Sequence, residues 1–353
     1  MRKVLVLYSE LAGYFTACLR EFVADGQHEV HVVRWPVHPE APFQFPDEPG
    51  IVYHERKGLD VGDIIRLGEQ IQPAGLYVAG WIDKDYVKVA RHFKRKGVPV
   101  IAAFDTHWKG TWRQKLAILL SPLFIRTAYS HCWVPGMYQY EYARRLGYAR
   151  DHISTGMYAA DTTLFRRDTE SRLESKAVHY PKTFLYVGRL LELKGLDELC
   201  AAFIQLFESG RQEWNLRLVG NGPLGQTLPK HPAIEVLPFV QPSELPALAD
   251  DAGCLVLPSR SEAWGMVVHE FAAAGLPLIL SNQVGGHTAF LKSGYNGFLA
   301  QSENVESLAG ALRKMMDKTD DERLLMSRRS IELSQQLSPQ TWSATLREIL
   351  TLD

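Results

Sequence analysis

Cysteine is scarce and scattered in this chain: Cys18, Cys132, Cys200 and Cys254 are the four among 353 residues. None forms a C-x-x-C pair or a zinc-finger spacing, which excludes a disulfide framework and the usual structural zinc sites. All four sit in apolar runs, the place of buried free thiols in a reducing compartment. An excess of one charge is missing too. Lysine and arginine number 39 against 40 acidic residues, a net of −1, so no overall basic field points to nucleic acid. Any nucleotide must be held by a local site. No run approaches the roughly 20 apolar residues of a membrane-spanning helix. Met1-Arg2-Lys3 before an apolar run imitates a secretory signal, but Ser9 and Glu10 cut the run short and no cleavage site follows. A first buried strand is expected there. Also absent are a G-x-G-x-x-G after that strand, as a dinucleotide dehydrogenase would carry, and a D-x-D element flanked by strands.

What is present is a soluble globular composition, 46% apolar and 22% charged, at a length that suits two domains of roughly 150–200 residues. Short apolar runs alternate with helix-period segments. Strands are expected at 3–9, 28–35, 51–55, 75–80, 98–105, 131–135 and 152–156, with helices at 14–24, 61–72, 83–96, 112–129 and 137–146. The pattern restarts with strands at 183–188, 216–220, 234–240, 254–258 and 277–281 and a helix at 193–207. Strands apolar on both faces and separated by helices mean parallel sheets covered on both sides. The polar stretch 166–182 reads as a linker, and the tail from 304 as two helical segments broken near Ser338-Pro339. The expected division is an N-terminal Rossmann-like domain over 1–165, a second over 183–336, and a helix at 337–353 that packs back on the first. Ligands in such sheets sit at the C-terminal ends of the strands, and two facing sheets make a deep cleft.

The most informative stretch is 258–277, PSRSEAWGMVVHEFAAAGLP. A strand should end at Pro258, a loop carry Glu262 and Gly265, and a helix begin near Met266 with Glu270 about one turn in. Backbone N–H groups around Trp264, Gly265 and Met266 would point out of the helix start, ready for ligand oxygens. Two carboxylates eight residues apart suit the hydroxyls of a sugar and a ribose; taken alone, they equally suit a helix cap and a solvated face. A second stretch, VGRLLELKGLDEL from Val187, ends a strand at Gly188-Arg189 and opens a helix at Lys194-Gly195. A planar guanidinium and a mobile ammonium beside a helix start form a diphosphate clamp without a metal, although two cations five apart are by themselves ordinary surface charge. A third, Leu218-Val219-Gly220-Asn221-Gly222-Pro223, is a strand followed by a glycine-permitted turn.

Pro258, Ser259, Glu262, Gly265, Glu270, Ala272, Ala273, Gly275 and Pro277 together resemble the signature of glycosyltransferase family 4: P-S-x-x-E-x-x-G, a second Glu eight residues after the first, a small-residue helix and G-x-P. The resemblance is strong over 183–300 and rests on architecture and a few positions over 1–165. It implies the α/β GT-B fold, two Rossmann-like domains with parallel sheets facing across a deep cleft. It implies a cytoplasmic, retaining hexosyltransferase that takes a sugar from a nucleoside-diphosphate donor, UDP-sugar favoured over GDP-sugar, without cofactor or metal. The acceptor would be a hydroxyl of a glycan, a glycolipid or a small molecule. In a front-face mechanism the leaving phosphate assists that hydroxyl. Carried onto this chain, Arg189 and Lys194 take the clamp role, Glu262 the sugar near its anomeric end, and Glu270 the ribose. Backbone at Gly188, Gly220, Asn221 and Gly222 and at Ala263, Trp264, Gly265, Met266 and Val267 surrounds the donor, and Phe239-Val240 meets the base. The alternatives are a catalytically silent GT-B partner subunit and a phosphorylase or sugar-nucleotide epimerase of related fold. The intact set of Arg189, Lys194, Glu262 and Glu270 speaks against a silent copy.

The N-terminal half departs from the family's pattern. A glycine-rich loop after the first strand is reduced to SELAGYF, with Gly13 alone. His107, in FDTHW, stands where the family often has a histidine lining the donor sugar. Asp161 matches the end of P-N-G-V-D-x-x-x-F, but the Asn-Gly portion is altered, and in VGGHTAFL the usual Pro-Glu pair is replaced by Thr288-Ala289. Finally, 109–129, KGTWRQKLAILLSPLFIRTAY, combines an almost unbroken apolar block with Lys109, Arg113, Lys115, Arg126, Trp108 and Trp112 nearby. A buried helix between two strands has this composition. So does a segment resting on a bilayer, and the family's frequent lipid-linked acceptors make peripheral contact with an anionic inner membrane face the second expectation.

Overall fold

The computed structural model describes residues 1–9, 11–36 and 47–351. They form two compact units, one of residues 1–160 with 337–353 and one of 161–336. The first holds β1 (Arg2–Tyr8), α1 (Gly13–Val23), β2 (His28–Arg34), β3 (Ile51–Glu55), α2 (Val61–Ile71), β4 (Gly75–Ala79), α3 (Lys84–Arg95), β5 (Val100–Ala103), α4 (Trp112–Phe124), β6 (His131–Trp133), α5 (Met137–Arg145) and β7 (Ile153–Ser154). Its sheet is parallel, in the order β3-β2-β1-β4-β5-β6-β7. Val4, Leu5, Val6 and Leu7 are fully buried in succession, because helices cover both faces of a doubly wound sheet. The order reverses between β1 and β4, so the C-terminal ends of those strands leave a crevice where ligands gather.

The second unit holds α6 (Thr162–Arg166), α7 (Thr169–Val178), β8 (Thr183–Val187), α8 (Leu196–Glu208), β9 (Asn215–Val219), β10 (Ile234–Leu237), β11 (Cys254–Leu257), α9 (Met266–Ala273), β12 (Leu278–Ser281), α10 (His287–Phe290), β13 (Gly297–Ala300), α11 (Val305–Met316) and α12 (Asp320–Ser334). Its parallel sheet runs β10-β9-β8-β11-β12-β13, reversing between β8 and β11. The last helix, α13 (Pro339–Leu350), lies in the first unit. Ser338 and Thr341 close a capping box there with Pro339 in the first turn, and Trp342 buries fully, its indole N–H donating to the Met157 carbonyl at 3.0 Å.

Three elements differ from expectation. The stretch 166–182 is not a linker: most of it is α7, whose periodicity is hidden because two of its inward residues are cations. Arg172 reaches Asp250, the Pro246 carbonyl and the Ala274 carbonyl at 2.5, 3.2 and 3.3 Å. Lys176, 1% exposed, donates to the Ala252 carbonyl at 2.7 Å, and burial pushes its pKa down to about 7. The short run β13 adds a sixth strand that its four residues and leading glycine did not announce. The tail contains three helices, since a capping box of Thr319 and Glu322 starts α12 where a continuous segment was expected.

Candidate functional site

In the second unit, the ends of β8, β9 and β11 bring the three motif stretches to one edge of the sheet. After β8, Gly188 donates its N–H to the Val219 carbonyl at 3.0 Å, and Leu190 donates to Asn221 at 2.8 Å, so the loops after β8 and β9 are stitched together. The approach is so close that a Cβ on Gly220 would stand 2.0 Å from the Gly188 oxygen. Tyr186 donates its hydroxyl to the Arg189 carbonyl at 2.8 Å, holding the turn, while the Arg189 side chain lies on the exposed surface. The Asn221 side chain accepts from the Phe239 N–H at 3.2 Å. That backbone donor is thereby occupied, and Val240 is left as the next amide along the segment assigned to the base.

The loop after β11 carries the decisive pair. Glu262 accepts a hydrogen bond from the Lys194 ammonium, with the two side chains 19% and 13% exposed. Arg260 braces the same region by binding Glu198 at 2.8 Å and Glu192 at 3.1 Å. Sequence reasoning missed this brace, because an arginine inside P-S-x-x-E is invisible until its partners are placed. Glu262 does not cap α9: Gly265 at the cap position supplies no side-chain bond, and no acid occupies the first turn. The opening amides at Met266 and Val267 therefore face an uncapped helix start, the arrangement that takes anionic oxygens. The loop is clamped from outside by the paired glycines. Gly285 donates to the Glu262 carbonyl at 3.0 Å and Gly286 to that of Trp264 at 2.7 Å, and a Cβ on Gly285 would sit 2.0 Å from the Ala263 oxygen. The replaced Thr288-Ala289 lie in the short helix α10, beyond this clamp.

Glu270 sits one turn into α9 and is half-buried rather than solvated. Burial first, and the nearby Asp161 carboxylate second, push its pKa up to about 7. Asp161 itself caps α6 by accepting the Leu164 N–H at 3.0 Å. A link between these two acids was not readable from sequence, since nothing local relates positions so far apart. The consequence for stability has a definite sign. Folded Glu270 keeps a proton that the unfolded chain releases at its ordinary value of 4.5, so ionisation opposes folding. The destabilisation is absent below pH 4.5 and complete once pH has risen through about 7, reaching at most about 3 kcal/mol. Glu270→Gln should thus gain stability over wild type across that window, read from urea midpoints at successive pH values. Parallel curves for the two proteins would show that Glu270 titrates normally.

In the first unit, Gly13 opens α1, whose cap position Ala12 supplies no side-chain bond. The expected phosphate-approach loop is described except for residue 10. Tyr14 meets Tyr158 edge-on at 5.5 Å, and Tyr158 donates to Asp105 at 3.2 Å. His107 is half-buried; its carbonyl accepts from Gln114 at 2.7 Å, and burial, with Lys109 adding to it, lowers its pKa. A neutral imidazole suits hydrogen bonding to a hydroxyl. A cavity of about 570 Å³ opens at the C-terminal ends of β1 to β4, lined by Trp35, Arg56, Ile82, Asp83, Lys84 and Asp85 among others. Asp83-Lys84-Asp85 has D-x-D spacing at a helix start rather than between strands. Both carboxylates are engaged: Asp83 caps α3 and accepts from the Trp35 indole at 3.2 Å, and Asp85 holds Arg56 at 2.9 Å and Lys88 at 3.0 Å. Among the described residues, no three His, Cys, Asp or Glu side chains converge as metal ligands would.

Comparison with known proteins places these observations. The family described as glycosyl transferases group 1 matches residues 168–332. A D-inositol 3-phosphate glycosyltransferase of Corynebacterium glutamicum is 30% identical over 220 residues, covering 57% of this chain and 51% of that one. The chain thus spans about half the length of the curated relatives it matches. Among solved structures, sucrose-phosphate synthase from Thermosynechococcus elongatus superposes with a TM-score of 0.76 at 17% identity over 99% of both chains. Anabaena HepE in complex with UDP and glucose superposes at 0.73 and 16%, covering 99% of this chain and 100% of that one. At such identity the likeness shows the fold, two Rossmann-like α/β units of the GT-B class.

Proposed function

We propose, from the match of residues 168–332 to the family of glycosyl transferases group 1, that the chain is a retaining, metal-independent hexosyltransferase. It moves a sugar from a nucleoside-diphosphate donor, UDP-sugar before GDP-sugar, to a hydroxyl of a glycan, glycolipid or small-molecule acceptor in the cytoplasm. The observation that carries the reading is the Lys194–Glu262 pair set against the uncapped start of α9. Three kinds of group converge there: a cation for the leaving diphosphate, a carboxylate for sugar hydroxyls, and amide donors for phosphate oxygens. Arg189 adds a second cation, Glu270 takes the ribose hydroxyls, and His107 takes a donor sugar hydroxyl as neutral imidazole. Such groups, fixed before the donor arrives, stabilise charge that develops on the leaving phosphate without reorganising. The acceptor hydroxyl then attacks from the face the diphosphate leaves, and that phosphate takes its proton.

For the acceptor, the cavity of the first unit is the favoured seat. Trp35, 41% exposed, offers an apolar face, and the neighbouring acids and cations offer hydrogen bonds of both senses. Peripheral contact with an anionic membrane belongs to the same reading, as a route to lipid-linked acceptors. The test is calorimetric titration of a panel of nucleotide sugars followed by an assay for released nucleoside diphosphate. Failure of every donor to bind would sink the transferase reading; binding without release would favour a silent partner subunit. Metal independence has its own check. Activity should survive EDTA within about twofold, because the cations and helix start already supply the positive potential. Loss on chelation with recovery in magnesium or manganese would overturn it.

A further inference from the structure

The helix α4 is built inside out. Its inward face carries Gln114, Ile118 and Ser121, followed by Ile125 just past its end, at helical spacing. Gln114 and Ser121 are 8% and 0% exposed, and Ile118 packs against the core. The two polar residues tether the helix to the body of the unit. Gln114 donates to the His107 carbonyl at 2.7 Å and accepts from the Lys109 N–H at 2.8 Å, while Ser121 donates to the Leu146 carbonyl at 2.8 Å. The outward face is the apolar one. Trp112, Leu116, Leu119 and Leu123, spaced four, three and four residues apart, are 69%, 45%, 73% and 66% exposed, and Phe124 beside them is 55% exposed. A helix on a soluble surface places these residue types the other way round.

Within the segment that carries this stripe the charges are of one sign. Between Asp105 and Glu141 the sequence has no acidic residue, and it has Lys109, Arg113, Lys115 and Arg126. On α3, Arg91 ties the far end of the helix by donating to the Phe124 carbonyl at 3.2 Å and the Thr127 hydroxyl at 3.1 Å. Arg113 lies over the Trp112 ring at 5.5 Å. An apolar stripe rimmed by cations, with tryptophan at one end, matches a surface whose interior is hydrocarbon and whose headgroups are anionic. A second copy of the chain fits worse, since a two-fold contact would set basic rim against basic rim with no acid to pair. Among the described residues no helix is long and apolar enough to cross a membrane, so the contact is one of lying on the surface.

We propose that the outward face of α4 docks the protein on an anionic lipid bilayer, with Trp112, Leu116, Leu119, Leu123 and Phe124 entering the headgroup–acyl boundary and the flanking cations meeting the headgroups. This rests on the transferase reading for its purpose, delivery of a lipid-borne acceptor, and not for the binding itself. The test is co-sedimentation of the full chain with phosphatidylcholine vesicles, with and without phosphatidylglycerol, at low and high salt. Wild type should pellet with anionic vesicles at low salt and lose about tenfold in apparent affinity at high salt. Leu119→Glu with Leu123→Glu should lose about a hundredfold or more. Arg113→Gln with Lys115→Gln should lose about tenfold, on anionic vesicles only. Since these side chains are exposed, circular dichroism and thermal melts should be unchanged. As a second readout, the emission shift on vesicle addition should be lost in Trp112→Phe. Wild type left in the supernatant at low salt, undiminished pelleting of the double glutamate variant, or a solution dimer that this variant dissociates would overturn the proposal. Calorimetry with uridine diphosphate on the same samples separates the two readings. Nucleotide binding without vesicle binding sinks the docking surface alone, and vesicle binding without any nucleotide binding sinks the transferase alone.

Discussion

Alanine in place of Lys194 should lower kcat by roughly 10²–10³-fold, the usual loss when one preorganised charge contact to a transition state is removed. The assay is nucleoside diphosphate release at saturating donor. Two effects overlap at this residue and have to be told apart. In the proposed reading Lys194 meets the leaving diphosphate, and it also neutralises Glu262. The pair is neither fully exposed nor fully buried, so breaking it should cost about 1–2 kcal/mol of stability, between the values for surface and interior pairs. A kcat loss that far exceeds this, with the fold intact by thermal melt, belongs to the chemistry. Arg189, whose side chain lies on the surface, is the second probe, and Arg189→Ala should depress kcat by a similar factor. A rate within twofold of wild type at either position removes that residue from the clamp.

Glu262 and Glu270 should fail in different ways when truncated. Glu270→Ala is expected to weaken donor and free nucleoside diphosphate alike, by roughly 10- to 100-fold, the worth of hydrogen bonds to two ribose hydroxyls. Glu262→Ala should instead lower turnover by about 10²-fold and leave the affinity for free diphosphate nearly unchanged, because its proposed contact is to the sugar. The geometry sharpens the contrast. Glu270 rides on α9 itself, whereas Glu262 sits on the loop stitched to Gly285 and paired with Lys194. Calorimetry with the free diphosphate and steady-state rates on the same preparations decide it. Equal losses of nucleotide affinity in the two variants would contradict the division of roles.

Most of the architecture was legible because it rests on local patterns. Doubly apolar runs such as Val4–Leu7 have to lie in a parallel sheet, and the alternation with helices sets a doubly wound order. The motif stretches also read correctly as strand–turn–helix junctions, since glycine, proline and small-residue positions act through their own backbone. Where cations replaced apolar residues on an inward face, as at Arg172 and Lys176 of α7, periodicity misread a helix as a linker. A four-residue strand opening on Gly297 fell below what any pattern resolves.

By itself, then, the sequence determined two α/β units and the chemical character of one sheet edge, because both follow from spacing along the chain. Only the tertiary structure decided which groups meet. It set Lys194 on Glu262 across 68 positions, buried Glu270 with Asp161 nearby so that its pKa is pushed up to about 7, and spent the Phe239 amide on Asn221. It also decided which way α4 faces. A segment apolar nearly all round carries no preferred side of its own, and the direction came from two hydrogen-bonding residues, Gln114 and Ser121, finding carbonyl partners in the body of the unit. Burying those bonds turned the leucines outward. Their exposure is a property of the neighbours α4 packs against, which no reading along the chain contains.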